Sequence, residues 1–175
     1  EVLPAIETQE FAFADFKPYA PSDGAPASFM AKPVVRHGKV ELIVALQIPL
    51  EEINAIMKER AGMGESGETY LIGPDYLMRS DSYLDPENHS VKASFADPEK
   101  GDVRTEAANA ALSGETDRKV ITDYNGNPVL SAYSPFDMFG TRWGMLAEID
   151  LAEVRAPMVS SRKTTPTSVA TTGTR

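Results

Sequence analysis

Arg79-Ser80-Asp81-Ser82-Tyr83 is a dense run of hydrogen-bonding side chains. A guanidinium offers a planar fork that matches a carboxylate with two parallel bonds, and neighbouring hydroxyls can take up the other polar atoms of a small anion or zwitterion. Arg79, Ser80, Asp81 and Ser82 are therefore candidate ligand-binding residues. A plainer reading stands beside it, in which Arg79 pairs with an internal acid such as Glu148 or Asp123 and fixes a loop, since charges in a small module are usually paired or solvated. Tyr70, Tyr124 and Tyr133 fall on or beside strands, where a ring can line a pocket and a hydroxyl can orient a ligand, although core packing suits each of them singly. Asp123 could accept a bond from an amine, and it equally suits the tight turn that follows it.

Other chemistry has thin support. His89 with Asp81, Asp85 and Glu87 can be drawn as a metal site, but the spacing lacks the alternation of a calcium loop and no second histidine is near, so no metal is expected. Gly62, Gly64 and Gly67 lead into a strand without a Gly-Lys-Ser/Thr ending, which reads as hinge and turn rather than a phosphate loop. The chain has no cysteine and two histidines, of which His37 falls in a hairpin turn. Nucleophilic, triad and thiolate-metal chemistry thus lose their usual residues, and neither catalysis nor a cofactor is expected. A formal net charge of −9 disfavours nucleic acid and anionic membrane surfaces. No run of eighteen apolar residues occurs and the first residues lack a signal-peptide pattern, as expected of a soluble protein or an excised soluble piece.

The elements that must position these residues follow from punctuation and period. Residues 11–16 alternate aromatic and small, as in a half-buried strand, and the Pro/Gly/Ser/Asp-rich 19–26 is a turn. Residues 27–36 and 39–48, rich in β-branched side chains and split by His37-Gly38, predict a hairpin. Pro49 and two glutamates open a helix that Gly62 stops. Residues 69–72 predict a strand closed by Gly73-Pro74-Asp75, and 85–101, with no period and two Asp-Pro pairs, predicts a long loop. An alanine-rich helix over 103–112 follows, then strands over 119–124, 128–135 and 141–149, with Asn125-Gly126 as the strongest hairpin turn.

The two halves repeat. Pro26 and Pro33 correspond to Pro128 and Pro135, and Ile48, Leu50, Glu52, Ala55 and Met57 correspond to Ile149, Leu151, Glu153, Ala156 and Met158 after the loss of one residue. Residues 1–60 therefore read as the tail of a module and 61–158 as a whole one, an α+β module with a five-stranded antiparallel sheet and helix on one face.

The stretches GMGESGETYLIGPDYLMRSDS, PYAPSDGAPASFMAKPVV, VALQIPLEEINAIM and ITDYNGNPVLSAYSP, in that module order over about residues 8–158, resemble the double Cache (PAS-like) sensor regions of methyl-accepting chemotaxis proteins and related bacterial transmembrane receptors. The resemblance implies two PAS-like modules outside the cytoplasmic membrane: 1–60 would close the membrane-distal one and 61–158 would be the membrane-proximal one. It implies a periplasmic small-molecule sensor in a membrane-anchored parent, compatible with a homodimer. Its ligand would be an amino acid, organic acid or amine that biases the module between two states, read out through a helix over 151–158. The alternative is a structural spacer or a docking module for a periplasmic binding protein. Two departures stand out: Tyr83 replaces the arginine that often ends RSDSR, and 159–175 is a polar Ser/Thr-rich tail expected to be disordered, where a membrane helix would follow.

Overall fold

The computed structural model describes residue 8 and residues 10–162, and of 157–162 only the helical backbone. Two antiparallel sheets form the body. In the first, β1 (Ala12–Pro18), β2 (Pro26–Arg36) and β3 (Lys39–Gln47) lie in sequence order. In the second, β4 (Glu68–Ile72), β5 (Asp117–Thr122), β6 (Pro128–Met138) and β7 (Thr141–Asp150) lie in the order β4-β7-β6-β5. Helix α1 (Leu50–Met57) links the sheets, and α2 (Val91–Ala96), α3 (Pro98–Gly101) and α4 (Glu106–Ser113) lie between β4 and β5. Helix α5 (Leu151–Arg162) follows β7 directly.

The repeat is visible in three dimensions. β2 and β6 each span eleven residues, and each is joined to the next strand by two residues of positive φ: His37 and Gly38 at 52° and 71°, Phe139 and Gly140 at 51° and 85°. Two successive left-handed residues give the turn whose twist matches the flanking strands, so the glycine is required at its second position. A helix follows β3 and β7 alike.

Five expectations need correction. The second sheet has four strands, not five: after Ile72 the chain turns back and Met78 makes only a single bridge to Ile72. The backbone there is taken by other partners, since Ser80 Oγ accepts from Leu71 N–H at 2.9 Å and Arg79 N–H reaches the Leu71 carbonyl at 2.7 Å. Residues 85–101 are not an open loop but contain α2 and α3, because Ser90 caps α2 through Ala93 N–H and Pro98 opens α3. Helix α4 starts at Glu106 rather than 103, where Thr105 Oγ1 accepts from Ala108 N–H. Helix α1 ends at Met57, ahead of Gly62, and α5 runs to Arg162, past 158, where the polar tail was expected to begin. The rest of that tail, 163–175, lies outside the described residues.

Two faces of the second sheet do different work. On one, Trp143 is 1% exposed and its ring lies 6.2 Å from both Phe13 and Phe16 of β1, so the first sheet is packed on the second through aromatics. Ala14 to Lys17 is a register shift in β1, and this bulge carries Asp15 and Phe16 toward the second sheet. On the other face α4 lays Ala107, Ala108 and Ala111 against the sheet, and the small Gly144 admits that approach: a Cβ there would sit 3.2 Å from the Cβ of Ala111. Among the described residues, no helix is long and apolar enough to cross a membrane.

Candidate ligand-binding site

Strand period decides which side chains point under α4. Tyr70 and Ile72 are inward on β4, so Glu68 is inward too, and cross-strand register aligns Glu68, Glu148, Ser131 and Lys119 in one row. The next inward row is Tyr70, Leu146, Tyr133 and Asp117. Two carboxylates therefore lie side by side in the interior, Glu68 at 2% and Glu148 at 4% exposure.

Their surroundings differ. Glu68 is saturated: Oε2 accepts from Ser82 Oγ at 2.7 Å, Tyr83 N–H at 2.9 Å and Leu84 N–H at 3.2 Å, and Oε1 accepts from the Tyr124 hydroxyl. Glu148 accepts at Oε2 from the Tyr70 hydroxyl at 2.8 Å, while Oε1 is buried without a hydrogen bond. Burial pushes the Glu148 carboxyl above the usual carboxylate range, against the opposing pull of the Ser131 and Tyr70 hydroxyls, with the charges of Asp123 and Glu68 adding to the rise. Burial and the same carboxylates push the Tyr70 and Tyr124 hydroxyls up, so both act as neutral donors. The Ser131 Oγ and Tyr133 hydroxyl are likewise buried and make no hydrogen bond of good geometry, Ser131 lying beside the Glu148 carboxyl and Tyr133 beside the Lys119 ammonium.

A second string of groups closes the cluster from the loop side. The Tyr124 hydroxyl lies 2.9 Å from Ser82 Oγ, its ring stacks 4.1 Å from that of His89, and His89 Nδ1 lies 3.0 Å from Asp85 Oδ2. His89 is 4% exposed and its Nε2 has no hydrogen bond. Of the acids drawn around His89, only Asp85 is joined to it in this way. Asp81 is held by Asn54 Nδ2 at 2.8 Å and by Val91 N–H at 2.9 Å. No group of three metal-ligating side chains occurs among the described residues.

The structure thus divides the eight candidates. Tyr70, Ser82, Tyr124 and Tyr133 converge on or beside the Glu68–Glu148 pair. Arg79 lies elsewhere, 1% exposed, with Nε and Nη2 on Asp15 at 2.9 and 2.8 Å, Nη2 also on Asp75 at 3.0 Å, and Nη1 on the Leu77 carbonyl at 3.0 Å. Its acids are therefore Asp15 and Asp75, not Glu148 or Asp123. The bulge in β1 supplies the first and the turn after Gly73 supplies the second. Gly73 is required at that turn because a Cβ there would fall 2.1 Å from the guanidinium carbon. Ser80 and Asp81 serve β4, α1 and α2 as described. Asp123 accepts from Asn125 and Asn127 N–H at 2.9 and 2.7 Å and shapes its own turn.

Of the other residues here, the sequence names Glu148 only as an internal acid for Arg79 and His89 only as a drawn metal ligand, and it singles out neither Glu68 nor Ser131. A signal for three of them existed in the strand period: Glu68 is two residues from Tyr70, Ser131 two from Tyr133, and Glu148 two from Leu146.

No family model and no curated protein matches the sequence. Solved structures do match in fold. The periplasmic sensory domain of the Campylobacter jejuni chemoreceptor Tlp1 aligns with a TM-score of 0.65 at 14% identity, over 89% of this chain and 56% of that one. The ligand-binding domain of the Pseudomonas aeruginosa PAO1 amino acid chemoreceptor PctB, solved with L-arginine, aligns with 0.56 at 16% identity, over 94% and 59%. That of PctC from the same strain, solved with GABA, aligns with 0.54 at 15% identity, over 85% and 59%. The chain spans little more than half the length of these domains. Its fold is that of the periplasmic sensory domains of chemoreceptors.

Proposed function

We propose that this chain is part of an extracytoplasmic sensor that binds a small molecule and does no chemistry on it, within a membrane-anchored receptor of the chemotaxis type. In this reading 1–60 closes a first Cache-like module and 61–158 is a second. Tyr70, Ser82, Tyr124 and Tyr133 belong to the ligand site, with Arg79, Ser80, Asp81 and Asp123 shaping the loops around it. The observation that carries the proposal is a polar cluster, buried between sheet and helix, in which a carboxylate oxygen and two hydroxyls lack hydrogen bonds. Buried polar groups are rarely left unpaired, and such a cluster calls for a ligand, an ion or ordered water. The fold shared with PctB and PctC, which were solved with L-arginine and GABA, points the same way.

One observation favours a second reading, a spacer between a distal sensing module and the membrane: Arg79, Ser80 and Asp81 are all spent on internal partners. Melting temperature measured against a library of amino acids, organic acids and amines separates the two. A sensor gives at least one compound that raises it with concentration, as any ligand that prefers the folded state must. A library with no stabilising compound supports the spacer.

A further inference from the structure

The Glu148 Oε1, Ser131 Oγ and Tyr133 hydroxyl are three buried polar atoms, each without a hydrogen bond, on residues 4%, 0% and 3% exposed. Glu148 and Ser131 are direct cross-strand partners, and Tyr133 is the next inward residue of β6 after Ser131. Adjacent strands are roughly 4.8 Å apart and alternate residues of one strand roughly 7 Å, so the three side chains bound one small patch of the inner face. The patch is rich in acceptors: one carboxylate oxygen and two hydroxyl oxygens, with a second carboxylate, Glu68, beside it. The Tyr70 ring also borders it through its bond to Glu148.

A primary ammonium presents three N–H donors and one positive charge, and no acceptor. It would meet one acceptor from each of the three residues and offset the buried negative charge, which is costly to leave unpaired. A carboxylate would meet Glu148 and Glu68 with like charge. Resting on the sensor reading above, we propose that Glu148, Ser131 and Tyr133 form the subsite that takes the protonated primary amine of the ligand.

Two kinds of molecule carry that group, plain amines and amino acids, and Lys119 distinguishes them. It ends the Glu68–Glu148–Ser131 row, and its ammonium holds the exposed Glu106 at 3.1 Å and lies beside the Tyr133 hydroxyl. Exchanging that surface partner for a ligand carboxylate costs little.

The test uses ethylammonium chloride, β-alanine and sodium propionate, titrated into the 175-residue chain and its variants with melting temperature and calorimetry as readouts. Ethylammonium and β-alanine bind and propionate does not. Glu148→Gln, close to the parent in shape, lowers ammonium affinity roughly ten-fold or more, as expected for loss of a charge-assisted bond, and Tyr133→Phe lowers it a few-fold. Lys119→Met weakens β-alanine alone if the natural ligand is an amino acid and neither probe if it is a plain amine. Circular dichroism of each variant establishes that it is folded. The proposal is overturned if propionate binds and ethylammonium does not, or if a stabilising library compound keeps its affinity in Glu148→Gln; in both cases sensing itself survives. Silence from the three probes and from the library removes both.

Discussion

Arg79 and Asp15 meet as a two-pronged ion pair between the two sheets, with N···O distances of 2.9 and 2.8 Å. The guanidinium is buried, and it belongs to the loop that leads from β4 to the polar cluster. The pair therefore ties the first sheet to the loop on which Ser82 sits. Removing one partner of a buried pair leaves the other charge stranded, whereas replacing both by apolar groups is often neutral. Asp15→Ala should destabilise the chain by about 3 kcal/mol, the low end of the usual range because Asp75 still holds Arg79. Asp15→Leu with Arg79→Met should recover most of that loss. Denaturant midpoints of the parent, the single variant and the double variant decide it, and a double variant no better than the single one would contradict the account.

Glu148 sets a pH dependence of defined sign. Its folded pKa lies above the unfolded value because of burial, so its contribution is present below the unfolded pKa and is lost as pH rises through the folded one. The groups that act on it are Ser131 from β6, Tyr70 and Glu68 from β4, and Asp123 and Tyr124 from the turn. Glu148→Gln removes the cost of ionisation. The variant's stability advantage over the parent should therefore grow with pH and level off once Glu148 is ionised in the folded parent. Urea unfolding of both chains at several pH values between 4 and 8 measures this, and a pH-independent difference would count against it.

Helix α5 is fastened to the segment ahead of β4. Glu153 accepts from the Ser66 hydroxyl and from the backbone N–H of Glu65 and Ser66, both at 2.9 Å, and these bonds, the hydroxyl's foremost, hold its carboxyl below the usual range. Gly64 is packed against the same side chain, where a Cβ would fall 2.0 Å from Oε1. Glu153→Ala should speed amide exchange at Glu65 and Ser66 and leave β6 and β7 protected. Acidification through the depressed pKa should do the same to the parent chain. Exchange followed by NMR reads both, and unchanged rates at 65 and 66 would break the link between this segment and α5.

Trp143 is the sole tryptophan and sits where the sheets meet. Phe16→Ala should remove about 3–5 kcal/mol by leaving a cavity beside it, and should shift its emission to the red as water or mobility enters. A variant that is destabilised with unaltered emission would mean that the indole does not report on this junction.

The strands were legible because alternation, β-branched residues and the Gly-bearing turns all agree, and β2, β3, β6 and β7 begin and end within three residues of where the pattern places them. The α+β class followed from the same agreement. What stayed hidden depends on contacts between distant segments. Nothing around Arg79 in the chain announces Asp15, sixty-four residues away, because the bulge that delivers it is a property of the β1–β2 pairing. Helices α2 and α3 were missed because each is one or two turns long, too short to show a period. Of the candidate site, the tyrosines and Ser82 could be named from type and position. Glu148 reads from the sequence only as an internal acid for Arg79 and Glu68 as an ordinary acidic residue, and only the strand phase sets them side by side.

The central claim is that a small molecule binds between the second sheet and α4. Hydrogen exchange measured by mass spectrometry, with and without the strongest stabilising compound from the library, tests it most directly. Protection should rise in segments covering 68–72, 131–133 and 146–148, with β2 and β3 unchanged. Protection confined to the first sheet, or to no segment of the second, would contradict the account.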